Sequence, residues 1–279
     1  MVSQKSYDGS PTLYLIPTPI GNFDDITLRT IKVLEKIDVL FCEDTRVTGM
    51  LLNHLNIKCK LVTNHVHNEK SNRDKVLEYL KENKMVGLVS DRGTPIISDP
   101  GCELVKIVID NGFNVVSLPG PTALIPALTS SGLDASSFTF IGFLDAKEGK
   151  RHKQLKKLIN SKITLIFYEA PHRLTRTLND MLTILGDRNI CIAREISKKF
   201  EEIYRGKISE LIEQTTDIKG EIVIVVEGNK EEINFESLTI LEHIKLYMTE
   251  GMDSKEAIKQ VAKDRKLTKD IVYKEYHQK

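Results

Sequence analysis

The chain lacks an excess of charge of either sign: its 279 residues carry 40 Lys and Arg against 39 Asp and Glu. So even a balance gives no global field to draw the protein onto nucleic acid or membrane, and any basic surface is local. Long hydrophobic runs are also missing. The longest apolar stretches are strand-sized, which excludes a membrane-spanning helix. The opening residues, MVSQKSYDGSP, have no apolar core of the kind a signal peptide needs. Cysteine is sparse: Cys42, Cys59, Cys102 and Cys191 stand far apart, with no CxxC and no Cys/His pair at metal spacing. Scattered thiols of this kind predict a reduced, cytoplasmic protein without a metal site. Two phosphate-binding signatures are absent as well. Neither G-x-x-x-x-G-K-[ST] nor G-x-G-x-x-G occurs, which argues against a P-loop nucleotidase and an ordinary dinucleotide-binding dehydrogenase.

What is present is alternation. In the first half, short apolar runs (TLYLIP, DVLFCED, CKLVT, MVGLVS, NVVSLP) are separated by segments of helical period. The segment SNRDKVLEYLKEN is one, with Val76, Leu77 and Leu80 as its buried stripe and Ser71 as its expected N-cap. This order predicts an α/β fold with a mostly parallel sheet and helices on both faces. The second half offers strands FTFIGF, KITLIFYEA, NICIAREI, FEEIYRG and GEIVIVVEG with fewer helices between them, which predicts a mixed sheet. Beyond Gly228 three short helices are expected, with Asp253 or Ser254 capping the second and Thr268 the third. The predicted organisation is residues 1–128, 129–230 and a helical tail, 231–279.

Ligands of open α/β sheets bind where strands end. Three loops rich in Gly, Pro and Thr follow strands here: TPIGN, SDRGTPIISDP and PGPTA. They should meet at one crevice. Charged groups also follow strands. CEDTR presents Glu43, Asp44 and Arg46, FYEAPHR presents Glu169, His172 and Arg173, and AREISKK presents Arg194, Glu195 and Lys198. At a strand end such groups can orient a hydroxyl or hold a phosphate, or simply pair to tie a turn. His65 and His67 could share a strand face, but with no third ligand suggested they read as loop histidines. The run AKEGKRHKQLKKLINSK carries seven Lys or Arg against one Glu. As a helix it would align Lys150, Lys153 and Lys157, either toward an RNA backbone or simply toward water.

The stretches LYLIPTPIGNFDDITLRTIKVLEKIDVLFCEDTR, SDRGTPIISDPG, PGPTALIPALTSSGL, FYEAPHR and GEIVIVVEG, in this order, resemble the bacterial small-subunit ribosomal RNA (cytidine-2′-O)-methyltransferases of the tetrapyrrole methylase superfamily. The resemblance runs from about Leu13 to Glu227. It implies a two-domain tetrapyrrole-methylase-like fold, usually homodimeric, with S-adenosylmethionine (SAM) folded into the interdomain cleft. Cofactor contacts carry over to Pro19, Ile20 and Gly21; to Gly93, Thr94, Pro95, Ile97 and Asp99; to Thr122 and Ala123; and to Phe167 and Tyr168. Thr94 stands where the wider superfamily has the Asp of a GDP motif. Arg92 replaces a small residue, and it would either crowd the cofactor or point outward to RNA.

The implied reaction is transfer of an activated methyl group to a ribose hydroxyl, in which alignment and a positioned base do most of the work. Glu169, His172, Asp44 and Glu195 are the candidate bases, with Glu169 preferred because the resemblance places its strand beside the cofactor. Arg46, Arg173 and Lys198 are candidate phosphate or ribose clamps. Lys150, Arg151 and Lys153, with the C-terminal helices, are the candidate RNA surface in the small ribosomal subunit. Two other readings share the same motifs: a tetrapyrrole-type small-molecule methylase, and a non-catalytic RNA-binding factor with a degenerate SAM pocket.

Overall fold

The computed structural model describes residues 3–6, 9–65, 69–230, 238–249 and 251–277. His67 lies outside them. The chain divides into two compact units, Met1–Asn229 and Lys230–Lys279.

In the first unit, strands β1 (Thr12–Leu15), β2 (Val39–Cys42), β3 (Lys60–Thr63), β4 (Val86–Leu88) and β5 (Asn114–Ser117) form one sheet in the order β3-β2-β4-β1-β5. Every pair in it is parallel. The inner strands β1, β2 and β4 are almost wholly apolar because both faces are covered. Alternate residues go to opposite faces. Leu13, Leu15, Val39, Phe41, Val86 and Leu88 pack against α3 (Glu69–Lys81) and α4 (Cys102–Asp110). Leu40 and Cys42, with Ile16, pack on the other side against α1 (Leu28–Leu34) and α2 (Thr45–His54). In α3, Val76, Leu77 and Leu80 are the buried stripe, as their spacing predicts. The helix starts at Glu69, so Ser71 lies inside its first turn and is not the cap.

The second sheet contains β6 (Phe138–Phe143), β7 (Thr164–Glu169), β8 (Asn189–Arg194), β9 (Glu202–Lys207) and β10 (Ile222–Val226), ordered β6-β7-β10-β8-β9. Only β6 and β7 are parallel; β10 runs antiparallel to both neighbours. Its centre, IVIVV, is fully buried, again because two faces are covered. Ile222, Ile224 and Val226 join a core closed by α6 (Glu148–Lys156), α7 (Leu174–Leu185) and α8 (Ile208–Gln214). Val223 and Val225 face the other way, onto Leu124, Ala127 and Leu128 of α5 (Leu124–Ser131) and onto Ile20 from the first sheet's side. Through this cluster the two sheets share a core.

The second unit contains α9 (Ile240–Thr249), α10 (Ser254–Asp264) and α11 (Lys269–His277) around Ile244, Ala257, Ile258, Val261 and Val272. Of the two expected caps for α10, Asp253 is the one used: its carboxylate accepts from Glu256 N at 2.8 Å, completing a capping box. Among the described residues no helix is long and apolar enough to cross a membrane.

Candidate functional site

The strand order creates the site. After β1 the chain leaves through α1 on one face of the first sheet; after β4 it leaves through α4 on the other. The loops beyond these adjacent strands therefore part and open a crevice, as at other topological switch points. Hydrogen bonds tie the three Gly/Pro/Thr loops together there. Thr18 and Gly93 exchange backbone bonds at 2.9 and 3.0 Å, and Thr94 Oγ1 donates to the Pro121 carbonyl at 2.9 Å. The convergence expected of TPIGN, SDRGTPIISDP and PGPTA is thus a bonded arrangement.

The loop after β4 is wound tightly enough to carry strain. Ile96 and Ser98 adopt φ of 77° and 68°, beside glycines 93 and 101 at 82° and 130°. A β-branched residue in the left-handed region is a genuine outlier, and such strain concentrates at functional sites. The opposite wall has the same character: Glu195 and Ser197 have φ of 52° and 70°. Gly220, at φ 103°, has no room for a side chain, because a Cβ would stand 2.5–2.6 Å from the Glu195 side chain.

Between these walls lies a cavity of about 390 Å³. The structure brings Ile20, Gly93, Thr94, Ile97, Asp99, Thr122, Ala123 and Tyr168 to its lining, all expected from the sequence. It adds residues that sequence reasoning missed, chiefly Ser98, Phe143, Ile196, Glu221 and Val223. Ser98 lies in the SDRGTPIISDP loop itself, whereas the others come from remote segments whose only sequence signal was position: Glu221 immediately precedes β10. Tyr168 is braced edge-on by Phe140 and Phe143, with ring centroids 4.8 and 5.7 Å away.

Other expected contacts lie elsewhere. Pro19 and Gly21 line a neighbouring cavity of about 200 Å³. Pro95 is buried and outside both linings. Phe167, one residue from Tyr168 on β7, points to the opposite face and lies fully buried in the core beneath α7.

Most of the candidate bases are committed. Glu169 is buried: Oε1 accepts from Ala170 N at 2.8 Å, Oε2 from Thr177 Oγ1 at 2.5 Å, and Arg173 pairs with it at 3.3 Å. Although it borders the cavity, it acts as the anchor of the turn between β7 and α7. Asp44 caps α2 and pairs with Arg46, whose hydrogen bonds hold its carboxyl down to about 2. Glu195 accepts from Lys198 Nζ and from Glu221 N, both at 2.8 Å. His172 is exposed and outside the cavity lining.

Two other carboxyls behave differently. Burial pushes Asp99 up to about 6, with help from the nearby Asp91 charge. Burial and the charges of Asp99 and Asp91 push Glu43 up to about 7.

Among the clamps and the basic surface, Arg151 is corrected outright. It is fully buried, with Nε donating to Asp180 at 2.5 Å and Nη1 to the Ala146 carbonyl at 3.0 Å. Lys150 and Lys153 remain exposed on α6. Arg173 is largely buried and donates to the Leu144 carbonyl. Lys198 is held between Glu195 and Glu221, the latter at 3.1 Å. Arg46 is 87% exposed, with its guanidinium paired to Asp44. Arg92 neither fills the cavity nor reaches into solvent alone: it pairs with Glu221 across the mouth and lines both cavities. Among the described residues no group of three His, Cys, Asp or Glu is arranged to hold a metal ion.

Residues 12–212 match the family described as tetrapyrrole (corrin/porphyrin) methylases. The chain is 46% identical to the ribosomal RNA small subunit methyltransferase I of Halalkalibacterium halodurans, over 100% of both chains. It is also 46% identical to that of Bacillus subtilis, over 98% of both. A crystal structure of uroporphyrin-III C-methyltransferase from Thermus thermophilus, complexed with S-adenosylhomocysteine, shares the fold at a TM-score of 0.55 and 19% identity, covering 77% of this chain and 97% of that one. With full-length relatives at this identity, a family match over most of the chain and a cavity at the switch point, this chain belongs to the ribosomal RNA small subunit methyltransferase I family of the tetrapyrrole methylases.

Proposed function

We propose that this chain transfers the methyl group of SAM to the ribose 2′-hydroxyl of a cytidine in small-subunit ribosomal RNA. The observation that carries the reading is the cavity formed by the three joined strand-end loops and the face of the second sheet. In this reading residues 1–128 and 129–230 act as its two lobes. Its size falls in the ordinary range for small-molecule sites, about 300–1,000 Å³. The lining also fits the donor. Ile20, Ile97, Tyr168 and Val223 offer apolar surface for an adenine ring, and Asp99 offers a carboxylate toward the sulfonium charge.

SAM supplies a methyl group on a sulfonium: as the ribose oxygen–carbon bond forms the carbon–sulfur bond breaks, and a neutral thioether leaves without acid assistance. The protein must therefore hold its partners in line and take up the hydroxyl proton. Alignment alone supplies up to about 7–11 kcal/mol. Asp99 is the carboxyl best suited to accept the proton, because it lines the cavity and its raised pKa makes it a stronger base than a solvated carboxylate. Arg46, Lys150 and Lys153 are the exposed cations that can meet phosphates, Arg46 while paired with Asp44 and Lys150 while paired with Asp145. A homodimer acting in the cytoplasm belongs to the same reading.

The test is transfer of labelled methyl from SAM to small ribosomal subunits that lack the modification, run beside tetrapyrrole precursors. Label in the ribose of one cytidine supports the reading; label only in a tetrapyrrole overturns it.

A further inference from the structure

The smaller cavity, about 200 Å³, shares Arg92 with the donor cavity and is lined otherwise by the loop after β1, by α2 and by Asp91. Pro19 and Gly21, which the family resemblance implies touch the cofactor, line it, whereas the donor reading above uses the larger cavity alone. We propose that it receives the base of the acceptor nucleotide, with Phe23 as the stacking face and Asp91 as acceptor for the exocyclic amine of a cytosine. The proposal rests on the ribosomal RNA reading and names how that site selects its nucleotide.

Phe23 carries the first part of the argument. It is a large apolar side chain left 45% exposed at the cavity rim. One ring face is braced on His54, with centroids 4.3 Å apart and planes within 16°. A rim aromatic held in this way suits an unstacked base, and single-stranded RNA is recognised through such stacking. Val47, Met50 and Leu51 of α2 supply apolar contact for the base edges that make no hydrogen bonds.

Asp91 carries the second part. Its Oδ1 is fixed by the Asp44 N–H at 3.1 Å, while Oδ2 accepts no hydrogen bond among the described residues. A carboxylate accepts from the cytosine amine and meets a carbonyl at the same position in uracil, so it discriminates between the two. Arg92 supplies the third. It borders both cavities, so a base seated in the smaller one has its sugar at the boundary with the donor. Arg46, on the first turn of α2, is exposed beside the same helix for a flanking phosphate.

The experiment uses the full-length enzyme, unmodified small subunits and a second set in which the methylated cytidine is changed to uridine. Phe23→Ala should raise KM for subunits about 10-fold, and Phe23→Tyr should restore it. Asp91→Asn, which keeps the acceptor used by Asp44, should reduce the preference for cytidine over uridine about 10-fold. Calorimetry should find SAM affinity within about 2-fold of wild type in all three, since none touches the donor cavity. Unchanged KM and unchanged preference would overturn the base assignment while leaving the methyltransferase reading intact. Loss of SAM binding in Phe23→Ala or Asp91→Asn would overturn it too, by assigning the smaller cavity to the donor. A wild-type enzyme that labels tetrapyrroles and not subunits would overturn both readings.

Discussion

Glu43 and Asp99 hold protons at pH values where a solvated carboxylic acid has none. Their pKa values, about 7 and about 6, arise chiefly from burial and secondly from carboxylates gathered at the ends of β2 and β4. For Glu43 this has a definite sign. Its folded pKa lies above its ordinary 4.5, so between these values the folded state binds the extra proton. Glu43 therefore disfavours the fold progressively as pH rises from about 4.5 to about 7. Glu43→Gln should raise the melting temperature at pH 8 and change it little at pH 5; scanning calorimetry across that range checks it. For Asp99 the consequence is kinetic. With its proton on below about 6, single-turnover methyl transfer should rise with pH to that point and then level. Asp99→Asn should lower the rate about 100-fold and abolish the inflection, as removal of a general base does.

Helix α6 shows what an element decides that a charge count does not. Its sequence, EGKRHKQLK, reads as uniformly polar, so Lys150, Arg151 and Lys153 look equivalent. Docking on α7 turns Arg151 and Leu155 inward, and the guanidinium becomes the bonded partner of Asp180. The two kinds of residue should separate in experiment. Arg151→Ala should destabilise the protein by about 3 kcal/mol, because it removes a buried ion pair and leaves the Asp180 carboxylate held by His152 alone. Lys150→Glu with Lys153→Glu should leave the melting temperature within a degree or two and weaken binding to ribosomal RNA. A denaturation series and a filter-binding titration distinguish them. Phe167 and Tyr168 teach the same lesson on a strand. Adjacent residues on β7 face opposite sides, so one belongs to the core and the other to the cavity.

At the scale of the molecule, the first unit contains both sheets and both cavities, and the second contains its own small core of α9, α10 and α11. The described residues that line the cavity of about 390 Å³ all belong to the first unit. Truncation after Asn229 should leave SAM binding within about 2-fold of full length, since the lining described lies in the first unit. If the C-terminal helices are an RNA surface, as their lysines suggest, the same truncation should weaken binding to small subunits. Calorimetry and subunit co-sedimentation on one preparation measure both effects.

Local pattern determined much of this protein. The apolar runs and helical periods in the sequence identify the strands of both sheets; the second sheet is mixed as expected, although helices α6, α7 and α8 separate most of its strands. The motifs, in their order, identify the methylase family and eight residues that line the cavity of about 390 Å³. Only tertiary structure decided which charged groups are free. Glu169–Arg173 and Glu195–Lys198 are local pairs of the kind their spacing allows, but Arg151 is paired with Asp180 and Lys198 also with Glu221, and no spacing along the chain reports those partners. It also decided the place of Arg92. In the sequence it is an anomalous side chain in SDRGTPIISDP, whereas in the fold it is paired with Glu221, 129 residues away, at the wall between two cavities. The reason is physical: hydrophobic period is a property of neighbours in the chain, whereas a charge takes its role from neighbours in space.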